Sequence, residues 1–482
     1  MTVRSPGVRL FLVGVVAAVL AIPLMLVYAL VYDRQEQSQT AQTAINAGWG
    51  GPQVVAGPVV VVPFRPIQTQ NDVVDGRPVS RVVEVEKLLY LSPVENRVQT
   101  VIDPQERTKS IYQSVLYQAQ VSGTATFALP DDLQRFGVTR DRLLWDRAEV
   151  RLGASDARGL TEGGTLKLAG RALALQPGKG PAATGGEGFF AFLPWDGEGA
   201  ISIEYAFGLR GSRALSLMPR GGSTRWEVKS TWTSPSFSGA FLPGKPAIDA
   251  KGFTANYAID KLALGQAPVL LADPGPPTVD FGAIDYDAST IPPPIITERT
   301  MNAGDAVSRG AIEVLGPPAR VVTVGLVEPV NLYSKVNRSV KYGFLFIGFT
   351  FLAFFLFDVV AGARVAAAEY LLTGAGLVLF FVLLLAFAEV IGFTAAYLGA
   401  SAAIIGLLTA YSAAVLKSWR RARFMAALLV GLYALLFVLL NLEAWSLLIG
   451  GVMLFLALAG VMYATRNIDW SNMGHDEEAV EA

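Results

Sequence analysis

Residues Val8–Val31 read VRLFLVGVVAAVLAIPLMLVYALV, an apolar run long enough for one membrane-spanning helix. Arg4 and Arg9 stand at its start, and positive charge of this kind is typical of the cytoplasmic end of a membrane helix. A cleaved signal peptide would have a shorter apolar region, of about 7–15 residues, and small residues at the cleavage site. Large residues precede Asp33 here, so we favour an uncleaved anchor over a signal peptide. Residues 1–32 are interpreted as a cytoplasmic N-terminus and a membrane anchor helix.

The composition of the whole chain agrees with a membrane protein. Of its 482 residues, 52% are hydrophobic and 16% are charged, whereas a typical soluble domain carries about 25% charge. The net charge of −1 provides no general attraction to nucleic acid, so we exclude that partner. Cysteine is absent and the single histidine, His475, lies in a polar tail, which argues against disulfides, thiolate metal sites and histidine-dependent triads. We predict no cofactor.

Between Asp33 and about residue 338 the sequence alternates with a period of two, as β-strands do. The clearest alternating stretches are Ile201–Leu209, Trp226–Thr233 and Phe253–Asp260. Further strand candidates are Val59–Phe64, Arg81–Leu91, Ile111–Val121, Leu166–Leu175 and Arg320–Val327. Many short strands separated by Gly and Pro predict an antiparallel β-sandwich-type domain in residues 33–340.

Three stretches interrupt that pattern. Gln176–Gly188 is rich in glycine and is interpreted as a flexible loop, or as the boundary near residues 176–188 if the β-rich region has two subdomains. Pro274–Pro294 is rich in proline and predicts a surface connection. Met301–Leu315 has apolar residues at helical spacing and predicts a helix.

The C-terminal part returns to apolar blocks of membrane length. Nine charged residues divide residues 342–465 into five such blocks: Tyr342–Gly362, Tyr370–Ile391, Phe393–Leu416, Phe424–Leu440 and Trp445–Tyr463. We therefore predict a C-terminal five-helix membrane bundle in residues 341–465, and six membrane helices in all. Residues 466–482 are predicted to form a cytoplasmic acidic tail.

The basic residues near helix ends predict the orientation in the membrane, because cytoplasmic loops carry an excess of Lys and Arg. If the helices alternate in direction, one side receives Arg4, Arg9, Arg364, Lys417, Arg420, Arg421, Arg423 and Arg466. Lys335, Arg338 and Lys341 fall on the other side. The count predicts that both termini are cytoplasmic and that the β-rich domain is extracytoplasmic.

Six strings, in this order along the chain, resemble the CreD family of bacterial inner-membrane proteins. They are GWGGPQ (48–53), GPVVVVP (57–63), WTSPSFSGAFLP (232–243), GLVEPVNLY (325–333), RSVKYGFLFIGFTFLAFFLF (338–357) and TRNIDW (465–470). Together they extend from residue 48 to residue 470, so the resemblance covers nearly the whole chain. It implies an inner-membrane protein linked to cell-envelope integrity and, in some bacteria, to two-component control and the β-lactam response. It implies no particular biochemical activity.

The chain departs from that family at two places where a histidine is often found. It has Ala388-Glu-Val390 where CreD-like sequences tend to read Ser-Glu-His, and Ala366–Tyr370 lacks a His-Pro pair. No role of those histidines can apply to this chain.

Motifs for catalysis and metal binding are weak. Gly239–Lys245 fits the first positions of a phosphate-binding P-loop, but Pro246 replaces the Ser or Thr that would bind magnesium, so we interpret it as a turn. Ser-x-x-Lys and Gly-x-Ser-x-Gly do not occur. Asp131-Asp132 and Asp285-Tyr-Asp287 are interpreted as turn or cap residues, because the other positions of a calcium loop are missing. We predict no catalytic, cofactor-binding or metal-binding residues.

Two carboxylates interrupt or end apolar spans and are the candidate intramembrane ionisable residues: Asp358 and Glu389. A carboxylate within a membrane is costly and often functional, for example in a proton or ligand relay. Both lie near predicted helix ends, however, so we favour the interpretation that they reach the interface or pair with nearby bases. Neither the relay nor the interface interpretation assigns Asp358 or Glu389 a catalytic role.

Small residues recur three and four apart on the fourth predicted membrane helix, at Ala395, Gly399, Ala402, Ala403, Gly406 and Ala410. Such a stripe lets helices approach closely. We favour packing within the chain, and an oligomer contact is the alternative.

The sequence therefore predicts a non-enzymatic inner-membrane protein that supports envelope integrity or the envelope-stress response. Its periplasmic β-domain is expected to contact an envelope partner, and its helices contact the lipid bilayer. The alternative is a transporter or channel that uses the bundle as a pathway. Against it, the bundle has few charges and no visible pair of Gly/Pro-broken helices.

Overall fold

The computed structural model describes residues 6–74, 77–109, 111–277, 320–326, 332–361, 365–441 and 446–466. The chain divides into two compact units: Thr40–Pro329 is one, and Met1–Gln39 with Val330–Ala482 is the other. The predicted Met301–Leu315 helix and the predicted Pro274–Pro294 connection from residue 278 onward lie outside the described residues.

The unit Thr40–Pro329, here called the β-domain, is built from short strands. In chain order they are β1 Gln53–Phe64, β2 Ile67–Val74, β3 Arg77–Glu84, β4 Lys87–Leu91, β5 Glu95–Lys109, β6 Tyr112–Phe127, β7 Glu149–Ala154, β8 Thr165–Leu168, β9 Arg171–Ala172, β10 Gln176–Pro177, β11 Phe189–Phe192, β12 Ile201–Ser212, β13 Ala214–Met218, β14 Ser223–Ser230, β15 Pro235–Gly239, β16 Ala247–Asp249, β17 Gly252–Ile259, β18 Val269–Leu270 and β19 Val322–Leu326.

These strands form two large sheets and a separate two-stranded ribbon, β2–β3. The nine-stranded sheet has the order β10-β11-β7-β1-β13-β19-β15, with β4 also paired to β1 and β18 to β4. The eight-stranded sheet has the order β16-β17-β14-β5-β6-β12-β8-β9. Side chains of both sheets share one hydrophobic core, so the predicted sandwich is confirmed.

The pairing is antiparallel with two exceptions. β1 pairs with β13 in parallel, and β14 pairs with β5 in parallel. Parallel pairs need long connections between the paired strands. More than a hundred residues separate the members of each pair here, so no local pattern could have predicted them.

The period-two stretches form strands with one buried face, as predicted. In β14 the buried residues are Thr224, Trp226, Val228 and Ser230, and their neighbours face outward. β12 and β17 show the same alternation. Trp232 lies two residues beyond the end of β14, so the predicted strand Trp226–Thr233 is too long at its C-terminal end.

Two predicted strands are wrong, because each contains a break. Arg81–Leu91 is divided between β3, which belongs to the ribbon, and β4, which belongs to the nine-stranded sheet. Leu166–Leu175 contains the antiparallel pair β8 and β9. Ala169 and Gly170 between them have φ angles of 47° and 79°, which gives a tight turn of left-handed residues.

The glycine-rich segment Gln176–Gly188 is ordered, and its interpretation as a flexible loop is wrong. Backbone hydrogen bonds join the N–H of Gly178 to the carbonyl of Gly188 (2.9 Å) and the N–H of Gly180 to that of Gly186 (2.8 Å). Its tip carries a 3-10 turn at Ala182–Thr184 in which Thr184 is buried. The segment lies within the β-domain unit.

The helices are α1 Pro6–Ala47, α2 Lys261–Leu264, α3 Leu332–Lys341, α4 Gly343–Ala361, α5 Ala367–Ile391, α6 Phe393–Val415, α7 Trp419–Asn441 and α8 Ser446–Thr465. α1 continues well beyond the predicted end of the anchor at Val31. The added residues 32–47 include four Gln and three Ala, which favour helix, and they contain no Gly or Pro.

Five helical stretches are long and apolar enough to cross a membrane: Phe11–Asn46, Leu332–Phe357, Ala367–Ile391, Phe393–Val415 and Trp419–Asn441. They coincide with the predicted anchor and with four of the five predicted C-terminal blocks. The last block, Trp445–Tyr463, coincides with helix α8, whose crossing of the membrane stays a prediction.

The helical unit has its own core. Aromatic rings dominate it: Phe380 packs against Tyr433 with ring centroids 4.6 Å apart and against Tyr397 at 5.5 Å. The hydroxyl of Tyr397 donates a hydrogen bond to the carbonyl of Tyr433 (2.6 Å), which joins α6 to α7. This packing holds α5, α6 and α7 together.

Candidate functional site

The two predicted intramembrane carboxylates lie at helix ends. Asp358 belongs to the last turn of α4, and its side chain lies outside the described part of the chain. Glu389 lies two residues before the end of α5 and is partly exposed. The interpretation that both reach the interface or pair with nearby bases stays a prediction.

Glu389 is hydrogen-bonded to a residue that the sequence analysis did not consider. The hydroxyl of Tyr333, on α3, donates to Oε1 of Glu389 at 3.1 Å. On the same helix, Lys335 places its ammonium 5.5 Å from the centre of the Phe393 ring. α3 was not predicted. It is amphipathic: Val336 and Val340 are buried, whereas Lys335 and Arg338 are partly exposed and Lys341 is exposed.

We expected the small-residue stripe of α6 to pack within the chain, but it packs against nothing in the part of the chain that the structure describes. Its six residues, Ala395, Gly399, Ala402, Ala403, Gly406 and Ala410, are all exposed. A Cβ built at Gly399 or Gly406 would meet no described atom within 4 Å. The opposite face of α6, which includes Tyr397 and Ile404, is the one buried in the bundle. The oligomer contact stays a prediction.

A concave site lies on the β-domain, on the face of the nine-stranded sheet that points away from the core. We call it the outer-face pocket. Its volume is ≈ 250 Å³, and it is lined by Val61, Pro63, Leu88, Arg147, Glu149, Arg151, Lys179 and Phe192. Strand register places these side chains together, because Glu149 of β7 lies between Val61 of β1 and Phe192 of β11.

Glu149 is the buried acid of this pocket and is 7% exposed. Arg151 donates to its Oε2 from Nε (3.0 Å) and Nη2 (2.8 Å), and Lys179 donates to its Oε1 (2.7 Å). Lys179 also lies over the ring of Phe190 at 4.6 Å. Its backbone has a φ of 50°, a left-handed conformation that costs a residue other than glycine about 1–2 kcal/mol.

Arg147 lies at the rim of the pocket. Its Nη1 donates to Oε2 of Glu86 at 2.8 Å, and both side chains are partly exposed. This hydrogen bond from Arg147 holds the pKa of Glu86 below its usual value. The pocket and its rim thus contain three cationic groups and two carboxylates, one of them buried.

The weak motifs are turns and caps where the structure describes them. The N–H of Ala240 donates to the carbonyl of Val321 (2.8 Å), and the N–H of Gly244 donates to the carbonyl of Asn256 (2.9 Å). These two amides of the P-loop-like segment are therefore not directed at a phosphate. Asp132 precedes a 3-10 turn and pairs with Arg135 at 3.2 Å. Asp285 and Asp287 lie outside the described residues. Within the described residues, no group of three or more acidic or histidine side chains could hold a metal ion.

A buried ion pair lies elsewhere in the β-domain. Arg220, which follows β13, donates from Nη2 to Oδ1 of Asp273. Oδ2 of Asp273 accepts a hydrogen bond from the backbone N–H of Ala182 at 2.5 Å. The two charged residues are 2% and 7% exposed, so this pair holds three distant segments together.

Comparison with known proteins decides the family. The family model described as inner membrane protein CreD matches residues 5–471. This chain belongs to the CreD family. It is 29% identical to inner membrane protein CreD of Escherichia coli (strain K12) over 457 residues, which cover 94% of this chain and 90% of that protein. The resemblance stated from the six strings is confirmed, and with it the location in the inner membrane.

One of those CreD strings, Gly48–Gln53, is a structural junction of the β-domain. Gln53 is fully buried; its Nε2 donates to the carbonyl of Arg210 (3.0 Å), and its Oε1 accepts the N–H of Asp156 (3.1 Å). These bonds join β1 to β12 and to the turn after β7. The ring of Trp49 lies 5.2 Å from the guanidinium of Arg107 and 4.9 Å from that of Arg210. We interpret this string as a requirement of folding.

Proposed function

We propose that this protein supports cell-envelope integrity, or the response to envelope stress, by binding an envelope component through its β-domain. In this proposal the β-domain is periplasmic, both termini are cytoplasmic, and the membrane helices are a non-enzymatic platform. Membership of the CreD family supports the inner-membrane setting. The Escherichia coli relative is described as an inner membrane protein, a name that states no enzymatic activity.

The observation that carries the proposal is the distribution of buried charge. Among the described side chains, the buried charged residues are Glu149, Arg220 and Asp273, and all three belong to the β-domain. The buried polar residues of α3 to α7 are serines and threonines. An ion or proton pathway through a helical bundle normally needs ionisable groups in its interior. The pocket and the charges therefore favour binding by the β-domain over transport by the bundle.

Amide substitutions of the two intramembrane carboxylates test the platform role. Asp358→Asn and Glu389→Gln keep the shape and hydrogen-bonding capacity of each side chain and remove its charge. We expect both variants, and Tyr333→Phe, to rescue envelope-stress sensitivity fully in a strain that lacks the protein. Rescue is measured as survival under envelope stress, with membrane abundance checked for every variant.

A variant that disrupts the β-domain provides the positive control, and we expect Trp226→Ala to abolish rescue. If the carboxylate variants fail to rescue at normal abundance, the platform role is wrong. Transport through the bundle would then become the better explanation, because an amide cannot exchange protons as a carboxyl group does.

A further inference from the structure

The outer-face pocket offers hydrogen-bond donors to solvent but few acceptors. Both oxygens of Glu149 are engaged by Arg151 and Lys179, and the acid is 7% exposed. The side chains of Arg147 and Lys179 are 49% and 52% exposed. A guanidinium has five N–H donors and an ammonium has three. Each of these two groups therefore has donors left after its hydrogen bond to a carboxylate.

Apolar side chains lie beside those donors. Val61, Pro63, Leu88 and Phe192 line the pocket, and the Phe192 side chain is 50% exposed. The rings of Phe190 and Phe192 form an edge-to-face pair with centroids 5.8 Å apart, which fixes the position of Phe192. An exposed aromatic ring next to partly exposed cationic groups suits a ligand with one apolar part and one charged part.

We propose that the outer-face pocket binds an amphipathic anion, that is, a carboxylate or phosphate carried on an apolar group. The anion is placed between Arg147 and Lys179, and the apolar group lies against Phe192, Leu88 and Pro63. Charge-assisted hydrogen bonds to the two cations provide selectivity for the anion. This inference rests on the proposed binding role of the β-domain and names the ligand class.

The backbone conformation of Lys179 supports a binding site that is formed before a ligand arrives. Its left-handed conformation, between Gly178 and Gly180, positions the ammonium against both Glu149 and the Phe190 ring. Strained backbone of this kind occurs more often where a side chain must be positioned. Glu86 competes with a ligand for Arg147, because it accepts a hydrogen bond from the guanidinium. Removal of the Glu86 carboxylate should therefore strengthen anion binding, whereas removal of Arg147 should weaken it.

The experiment measures binding to the full-length protein in lipid nanodiscs by saturation-transfer NMR and titration. The anionic probes are phenylacetate and phenyl phosphate, and their affinities distinguish a carboxylate source from a phosphate source. The neutral and cationic controls are 2-phenylethanol and phenethylamine. We expect both anions, or one of them, to bind in the millimolar range typical of small fragments. The controls are expected to bind at least about tenfold more weakly.

Two substitutions of opposite effect make the test specific. Arg147→Gln is expected to weaken anion binding about tenfold or more, since it removes a charged donor. Glu86→Gln is expected to strengthen binding up to about fivefold, because it releases Arg147 from an exposed ion pair. Arg97→Gln removes a similar exposed ion pair, with Glu95 on the other sheet, and is expected to leave binding unchanged.

Failure of this inference is distinguishable from failure of the proposed function. If neither anion binds, if 2-phenylethanol binds as tightly as they do, or if Arg147→Gln leaves the affinity unchanged, the pocket does not recognise an amphipathic anion. The proposed function is tested separately by rescue in cells. Rescue by the carboxylate variants would leave it standing even if the pocket bound neither probe.

Discussion

Replacing Trp226 with alanine is expected to lower the free energy of unfolding of the β-domain by about 3–5 kcal/mol, because the substitution leaves a large cavity in the core. The ring is 1% exposed and stacks on Tyr257 with centroids 5.2 Å apart. Its Nε1 donates to the hydroxyl of Thr100 at 2.9 Å, and that hydroxyl is also buried. For a domain of this size the loss corresponds to a decrease of roughly 10 °C in melting temperature.

Trp232→Ala is the matched control for Trp226→Ala. Trp232 lies outside β14, is partly buried and donates from Nε1 to the nearby carbonyl of Ser234. We expect its replacement to cost clearly less, and thermal unfolding of the full-length protein in detergent measures both effects. Equal destabilisation by the two substitutions would contradict the placement of Trp226 in the sandwich core.

Asp273→Asn is the second substitution with a large expected effect. It retains an oxygen that can accept the N–H of Ala182 but leaves the Arg220 guanidinium buried without its carboxylate. Within the described residues, Nε and Nη1 of Arg220 have no hydrogen-bond partner, so this charge depends on Asp273. Breaking a buried ion pair by removing one charge typically costs about 3–5 kcal/mol.

The double variant Arg220→Leu with Asp273→Asn tests the cause of that loss. Neither position of the pair then carries a charge, so we expect the double variant to regain most of the stability lost in the single variant, again measured by thermal unfolding. A double variant less stable than Asp273→Asn would show that the guanidinium contributes through packing more than through its charge.

The membrane helices could be predicted closely because the length of an apolar run is a local property. α4, α5 and α6 begin and end within about three residues of their predicted limits, an error typical of sequence-based boundaries. α7 begins at Trp419, five residues before the predicted block, because its first turns contain Arg420, Arg421 and Arg423, which an apolar-run criterion leaves out. α3 was missed because it is amphipathic and its basic residues gave it the appearance of a connection.

Strands were predictable where the buried face is apolar and missed where it is polar. β5 buries Asn96, Val98, Thr100 and Ile102, so half of this face looks exposed in the sequence. Asn96 accepts a hydrogen bond from the hydroxyl of Tyr205, and Thr100 accepts one from Trp226. Both partners are more than a hundred residues away in the chain. β13 was missed for another reason: all five of its residues are buried, so it shows no alternation.

The candidate intramembrane carboxylates could be found from the sequence, but the outer-face pocket could not. Asp358 and Glu389 stand out because a charge is rare in an apolar run. The pocket joins Val61, Leu88, Glu149 and Lys179 from four separate segments. The local signal was Glu149-Val-Arg151, an acid and a base on the same face of a strand, which many surface strands also have.

The placement of the β-domain across the membrane from both termini is the central claim, and reporter fusions test it most directly. A fusion at Ala200 is expected to be active as a periplasmic reporter, and so are fusions at Val390 and Glu443. Fusions at Ala366, Arg420 and His475 are expected to be active as cytoplasmic reporters, because the helix ends nearest to those positions carry basic residues, Arg364, Lys417 and Arg466 among them. A cytoplasmic signal at Ala200 would contradict the architecture and the binding role that depends on it.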